Sequence, residues 1–339
     1  MAPREVHQPE VARLTGLVLA LVVVTPAVCA GRTALLAGAF VVEFLTQGRP
    51  AVLSALTDPP TRQPLPAPGA QADLYVHAGL DPGRPLVLVH GLAPDGKDDP
   101  RVRDAAALLA RAGFDVAVPT IPGLTRGRLG PEDVEPVIGT LAAREARTAV
   151  VGVSVGAGPA LLAAADPRVR ERVSAVLSLG GYASAVELLR FWLTGVYAYE
   201  GVRGRADHDP ELVRAFVRAN ADRLDPVSRA TLEGADREAT GRLLDAPPID
   251  LRRYLDALSP LGVAPAIRAR LFLVHGRADR AVPYTESLRL AAARPDRTTL
   301  VLVGLVEHVE GVRGWSWREA RDLVALWWAV YGLLSASRA

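Results

Sequence analysis

The chain is organised around one stretch, Thr148-Ala149-Val150-Val151-Gly152-Val153-Ser154-Val155-Gly156-Ala157-Gly158. Its β-branched residues favour a strand, and the alanine- and leucine-rich run that follows favours a helix. Ser154 therefore stands at the corner of a tight strand-to-helix turn, between Gly152 and Gly156. Such a turn strains the serine backbone and leaves no room for a Cβ atom at either glycine. Ser154 is thus a candidate nucleophile that needs a base, an acid and oxyanion donors.

Composition excludes several classes of function. The 339 residues are 50% hydrophobic and 22% charged, which suits one large globular domain with additional segments. A net charge of +2 gives no basic excess of the kind that nucleic-acid binding needs. The single cysteine, Cys29, excludes an intrachain disulfide and a cysteine-based zinc site. His208-Asp209 has no further residue at a metal-ligand spacing, so we expect neither a metal nor another cofactor.

The first 45 residues read as a hydrophobic anchor or signal segment. Leu14 to Ala30 carries no charge, and its length approaches the minimum that spans a hydrocarbon core of ~30 Å. A second apolar run, Thr33 to Leu45, follows with one acid. We expect a membrane anchor within residues 14–45, because the second run would stay exposed after cleavage. A secretory signal cleaved near Ala30, which would export the protein, and a buried core helix are the alternatives.

Residues 46–70 contain closely spaced prolines, which predict a stiff linker. From residue 71 to 339, short hydrophobic runs alternate with helical patterns, and continuous apolar runs are typical of strands buried on both faces of a parallel sheet. We therefore predict an α/β domain with a doubly wound, mostly parallel sheet flanked by helices. The alternation stops over residues 182–262, where helical patterns with aromatic residues predict a helical cap. The last pattern, residues 315–334, is expected to pack on the sheet.

The chain from residue 71 onward resembles the α/β-hydrolase family, with Gly152-Val153-Ser154-Val155-Gly156 as its nucleophile elbow. In that family the triad follows the chain order nucleophile, acid, base. His275-Gly276-Arg277-Ala278-Asp279 resembles the acid loop, and His308 follows the last predicted strand, where the family keeps its histidine. All three residues follow parallel strands, and open α/β sheets place their sites at the carboxyl ends of those strands.

The resemblance gives each residue a role. His308 would accept the proton of the Ser154 hydroxyl, and Asp279 would orient His308 and stabilise its imidazolium form. The backbone N–H of Val155 would be one oxyanion donor. The other would come from the loop after the first buried strand, whose His90-Gly91 resembles the family's His-Gly motif. We expect it to be the N–H of Leu92, with Ala93 as the close alternative.

Several residues admit a second interpretation. His90 and His275 each end a strand before a glycine, and bonding to the loop backbone is favoured over a role as catalytic base. Asp207 and Asp209 in the cap are alternative acids. The charged loop 93–101 carries an Asp-Asp-Pro-Arg run that resembles a bacterial subset of the family. A helix-capping role for this loop is favoured over a polar rim of the substrate mouth.

These observations predict a membrane-tethered serine hydrolase that cleaves a small-molecule carboxylic ester through an acyl-enzyme intermediate. Cleavage of a thioester, lactone or amide on the same fold is the alternative reaction. A catalytically silent, membrane-anchored binding protein is the alternative from a different class.

Overall fold

One large sheet crosses the molecule. The computed structural model describes residues 30–79, 81–234, 236–304 and 317–336. The strands are β1 (Thr61–Ala67), β2 (Ala70–Val76), β3 (Arg84–Val89), β4 (Phe114–Pro119), β5 (Thr148–Val153), β6 (Val173–Leu179), β7 (Val196–Tyr199), β8 (Val202–Arg205), β9 (Arg270–Gly276) and β10 (Thr298–Val303). Within the described residues the sheet has the order β1-β2-β4-β3-β5-β6-β9-β10, and β7 and β8 form a separate hairpin.

The sheet is mostly parallel, as predicted. Strand β2 runs antiparallel to both β1 and β4, and the other neighbours in the sheet are parallel. The central strands are buried on both faces because their sequences are continuous apolar runs; Leu86–Val89 of β3 and Ala149–Val151 of β5 are examples. Their carboxyl ends lie at one edge of the sheet, and that edge carries the candidate site.

Helices cover both faces of the sheet. They are α1 (residues 30–45), α2 (Val52–Leu56), α3 (Pro100–Arg111), α4 (Pro122–Thr125), α5 (Glu135–Ala142), α6 (Ala157–Ala165), α7 (Ala185–Thr194), α8 (Pro210–Ala219), α9 (Pro226–Glu233), α10 (Arg237–Asp245), α11 (Ile249–Ala257), α12 (Thr285–Ala293) and α13 (Trp317–Ala336). One core contains α1, α3 and α13, and the other contains α5, α6, α12 and the cap. Helix α13 packs on the sheet as expected, and Asp99 in the loop 93–101 caps α3.

The second apolar run of the N-terminal segment belongs to the globular domain, which corrects the prediction of an anchor extending to residue 45. Residues 30–45 form α1, and its buried positions recur every four residues at Thr33, Ala37, Val41 and Leu45. This stripe packs against the sheet and α13, so the apolar side of the run is covered by protein. The run from Leu14 to Cys29 lies outside the described residues. None of the described helices has the length and apolarity that crossing a membrane requires.

Residues 46–70 do not form the predicted linker. They contain α2 and the edge strand β1, which pairs antiparallel with β2 through a turn at Gly69. Pro64 and Pro66 both lie in β1. An edge strand tolerates proline because the missing N–H can be one that faces away from the neighbouring strand. The prolines therefore excluded a central strand but not an edge strand.

The cap extends from the end of β6 to the start of β9 and is not wholly helical. It contains α7–α11 and also the antiparallel hairpin β7–β8, which the sequence interpretation did not include. Glu200 and Gly201 form its two-residue turn, both with positive φ. Such turns usually carry Asn-Gly or Asp-Gly, so the Glu-Gly pair gives a weak signal in sequence.

Candidate active site

Ser154 lies where β5 turns into α6. Its φ of +52° is in the left-handed region, which a side-chain-bearing residue adopts only under strong constraint. A Cβ atom on Gly152 would lie 2.6 Å from the Cα of Ala157. A Cβ atom on Gly156 would overlap the carbonyl oxygen of His90 and lie 2.9 Å from that of Val89. Both glycines therefore let α6 approach the ends of β5 and β3, and Ser154 stays half-buried at the corner.

The loop after β3 lies directly beside Ser154. A Cβ atom on Gly91 would lie 3.3 Å from the Cβ of Ser154, so the backbone at this position runs along the serine. The next side chain, Leu92, is 45% exposed, whereas the side chain of Val155 is buried. The loop predicted to supply one oxyanion donor and the residue predicted to supply the other thus flank the same serine.

His90 holds this loop through both ring nitrogens. Its Nε2 accepts the backbone N–H of Ile121 at 3.1 Å, so Nδ1 carries the proton and donates to the carbonyl oxygen of Gly91 at 2.7 Å. Burial lowers the pKa of the His90 imidazole, which favours this neutral form. His90 therefore connects the loops after β3 and β4 and has no ring nitrogen left for proton transfer.

Asp279 lies in the turn after β9. Its Oδ1 accepts the backbone N–H groups of Ala281 at 2.8 Å and Val282 at 3.0 Å, and these bonds hold the loop. A Cβ atom on Gly180, which follows β6, would lie 3.2 Å from the other carboxylate oxygen, Oδ2. A Cβ atom on the next residue, Gly181, would lie 3.6 Å from the carbonyl oxygen of Ser154. The Gly180-Gly181 pair thus separates the loops that carry Asp279 and Ser154.

His275 is buried at the end of β9, and its hydrogen bonds match a structural role. Its Nδ1 lies 2.7 Å from the hydroxyl of Ser287, and its Nε2 donates to the carbonyl oxygen of Val282 at 2.9 Å. The same Nε2 lies 3.4 Å from Oδ2 of Asp279. Both nitrogens are engaged inside the protein, so His275 supports the turn that carries Asp279.

The other residues predicted for the site are His308, the alternative acids Asp207 and Asp209, and any metal ligands. His308 lies outside the described residues; β10 ends at Val303, and the chain leaves the same edge of the sheet there. Asp209 is the N-cap of α8, and the backbone carbonyl of Asp207 accepts a hydrogen bond from Arg280. Within the described part of the chain, no three His, Cys, Asp or Glu side chains are grouped as metal ligands.

The structure adds Glu286, a residue that the sequence interpretation missed. It lies on α12, and its Oε2 accepts the backbone N–H groups of Ala183 at 3.0 Å and Ser184 at 2.8 Å, at the start of the cap. Its Oε1 accepts from Arg289 at 3.1 Å, and burial raises the pKa of the Glu286 carboxyl group. In sequence this residue is an ordinary acid in the first turn of a helix, so no local signal marks it.

The cap also contacts the loop that carries Asp279. The indole N–H of Trp192 on α7 donates to the carbonyl oxygen of Ala281 at 2.6 Å, and Nε2 of His208 lies 2.9 Å from the carbonyl oxygen of Arg280. Two cap elements therefore reach the residues that follow Asp279, which places the cap over this part of the sheet edge.

No protein-family model matches the chain, and no curated protein does. Among solved structures, a 2,6-dihydroxy-pseudo-oxynicotine hydrolase is 21% identical, with 82% of this chain and 68% of that chain covered and a TM-score of 0.53. The acylaminoacyl peptidase of Pyrococcus horikoshii is 15% identical, with 76% and 39% covered and a TM-score of 0.50. A meta-cleavage product hydrolase is 23% identical, with 73% and 91% covered and a TM-score of 0.43. Together with the mostly parallel sheet and the corner at Ser154, the first two show that this chain has the α/β-hydrolase fold.

Proposed function

We propose that this protein is a serine hydrolase with Ser154 as nucleophile, His308 as general base and Asp279 as the acid that orients the base. The observation that supports it best is the φ of +52° at Ser154, beside the loop that contains Gly91. A residue in this conformation costs about 1–3 kcal/mol, and such strain persists where the surrounding structure enforces it, often at active sites. The loop of Asp279 follows β9, two strands from β5 at the same edge of the sheet, and its position supports the same assignment.

The reaction would proceed through an acyl-enzyme. His308 takes the proton of Ser154 as Oγ attacks the ester carbonyl carbon, and the resulting oxyanion accepts the N–H groups of Val155 and Leu92. Collapse breaks the carbon–oxygen bond of the ester, and the alkoxide leaves as an alcohol with the proton from His308. Water then attacks the acyl-enzyme with His308 again as base, and Ser154 recovers its proton. Asp279 stabilises the imidazolium in both halves of the reaction.

The cap favours an apolar acyl group. The cap helices enclose a cavity of about 40 Å³ whose lining is apolar except for a few polar groups, and Trp192 and Phe216 contribute to it. Trp192 also donates a hydrogen bond to the loop that carries Asp279, so one side chain of this apolar lining contacts the loop of the candidate acid. We therefore propose carboxylic esters with apolar acyl chains as substrates, and tethering to a membrane by the apolar run of residues 14–29.

Active-site labelling with a fluorophosphonate probe tests the nucleophile. The unmodified protein should be labelled, Ser154→Ala should not, and Ser174→Ala should be labelled normally. Ser174 is a matched control because its hydroxyl in β6 makes no hydrogen bond to the described residues. Labelling that survives in Ser154→Ala would refute the assignment, and a folded protein that is never labelled would be the silent binding protein.

The reaction type and the tether need separate measurements. p-Nitrophenyl esters of increasing chain length, compared with thioester, lactone and amide analogues, should give the highest kcat/KM for an ester with an apolar acyl group. The tethered protein should resist extraction from membranes by alkaline carbonate. A soluble native protein whose sequence begins at Gly31 would instead indicate a cleaved signal.

A further inference from the structure

Helices α1 and α13 lie side by side on one face of the sheet. The indole N–H of Trp327 donates to the carbonyl oxygen of Ala34 at 2.9 Å, and a Cβ atom on Gly38 would lie 3.7 Å from the Trp327 ring. Farther along the pair, Val41 of α1 shares a buried cluster with Leu326 of α13. The two helices therefore form one outer layer, and each turns one side away from the sheet.

That outward side carries large apolar side chains. On α1, Leu35 is 77% exposed and Val42 is 40% exposed, and they lie two helical turns apart on one side. On α13, Val324 is 55% exposed and Trp328 is 57% exposed, one turn apart. We call these four residues the outer apolar face.

The charges near this face suit a lipid surface. Glu43, the acid of α1, is buried, and its carboxylate accepts the backbone N–H of Ser54 at 2.8 Å and also the Ser54 hydroxyl. It therefore does not put a negative charge on the outer apolar face. Arg321 on α13 is exposed, and arginine and tryptophan side chains are favoured where a protein meets lipid headgroups. Arg32 on α1 is also exposed, and it forms an ion pair with the exposed Asp81, so this pair adds no net charge.

The position of the N-terminal run identifies the occupant of this face. The uncharged run that begins at Leu14 ends at Ala30, where described α1 begins, so no spacer separates the two. Leu35 is five residues farther on, which is about 7.5 Å along a helix. If the run is held in a bilayer, its end at Ala30 keeps Leu35 within about 7.5 Å of the bilayer surface. This step rests on the tether proposed above.

We infer that the outer apolar face docks on the lipid bilayer, so that Leu35, Val42, Val324 and Trp328 lie at the headgroup boundary. The hydrolase domain would then have a fixed orientation on the membrane, with the layer of α1 and α13 toward the lipid. A domain held only by a flexible tether would have no such preferred side.

Site-specific fluorescence in the full chain tests this orientation. In a Cys29→Ser background, Val42→Cys is labelled with an environment-sensitive NBD dye, and the protein is reconstituted into vesicles of phosphatidylcholine and phosphatidylglycerol. Leu212→Cys on α8 of the cap is the matched control, because Leu212 is also an exposed apolar residue on a helix, with 71% exposure. Docking predicts a severalfold rise in emission, a blue shift and quenching by nitroxide lipids for the dye at position 42, and none of these at position 212.

A second variant separates docking from tethering. Trp328→Gln combined with Leu35→Gln should reduce the quenching at position 42 at least severalfold, while resistance to carbonate and labelling of Ser154 stay unchanged. A dye at position 42 that is as exposed as the one at 212 would overturn the inference. So would protection at position 42 that nitroxide lipids do not quench, because residues 1–29 or a second copy would then cover the face. Failure of the tether or of the hydrolase assignment would appear instead in the carbonate extraction or the fluorophosphonate labelling.

Discussion

At the scale of single residues, Gly156 shows how closely the backbone packs around Ser154. An added Cβ would meet backbone oxygens of His90 and Val89, which cannot rotate away. We expect Gly156→Ala to lower the free energy of unfolding by about 1–3 kcal/mol or more, as overpacking does, and to abolish fluorophosphonate labelling. Gly241→Ala in α10 is the control, because that position faces open space and should gain about 0.5–1 kcal/mol. Urea unfolding compares the two, and equal effects would contradict this account.

His90 should make stability depend on pH. Burial lowers its pKa below the ordinary value of 6.5, so between the two pKa values the unfolded chain binds more protons than the folded one. The free energy of unfolding should therefore fall as the pH drops below 6.5. His90→Gln keeps an acceptor for the N–H of Ile121 and cannot be protonated, so its unfolding free energy should fall less between about pH 7 and pH 5. Urea unfolding across this range tests it, and parallel curves for the two proteins would rule it out.

At the scale of elements, the helix layer that holds α1 contains a packing defect. A cavity of about 100 Å³ lies between α1, α3, α13 and the sheet, and its lining is apolar; Ala105 of α3 faces it. Ala105→Leu should fill part of this space and raise the free energy of unfolding by about 0.5–2 kcal/mol. The neighbouring Ala106 is fully buried away from the cavity, so Ala106→Leu should lower that free energy by about 1–3 kcal/mol. Chemical denaturation should show opposite signs for these adjacent variants, and the same sign for both would contradict it.

An element could be predicted from sequence where its residue pattern is compatible with only one kind of structure. The β-branched run that begins at Thr148 and ends before Ser154 became β5, as the sequence predicted. The run that became α1 is equally apolar, but the same pattern suits a bilayer and a core, and only tertiary packing distinguishes them. Strand β1 was obscured by its prolines and the hairpin β7–β8 by its Glu-Gly turn.

Some residues of the candidate site could also be predicted from sequence, and others could not. Ser154 and Asp279 follow strands in recognisable local motifs, so their place at the sheet edge could be predicted, while the role of His308 stays a prediction. Glu286 could not be found from sequence, because the backbone groups it binds lie 102 and 103 residues away. Hydrogen bonds of this kind appear only when the whole chain is folded.

At the scale of the whole molecule, hydrogen bonds join the two ends of the cap where it leaves and re-enters the rest of the domain. Tyr182 donates its hydroxyl to the carbonyl oxygen of Leu258 at 2.9 Å, and the backbone N–H of Leu261 donates to the carbonyl oxygen of Ala183 at 2.9 Å. These bonds connect the two ends of the insertion. Glu286 then fixes the first end to α12, and its buried carboxylate acts together with the contacts of Trp192 and His208 to hold the cap over the candidate site.

Removing that carboxylate should loosen the cap. Glu286→Ala leaves the N–H groups of Ala183 and Ser184 buried without their acceptor, at a cost of about 1–3 kcal/mol for each unsatisfied group. Local opening of the cap should therefore become easier. Amide hydrogen exchange at Ala183 and Ser184 should accelerate at least tenfold, and trypsin should cleave the cap faster. Glu238→Ala on α10 removes an exposed acid that pairs with Arg242 and should change neither rate. Unchanged exchange at Ala183 and Ser184 in Glu286→Ala would mean that packing, and not this buried carboxylate, holds the cap in place.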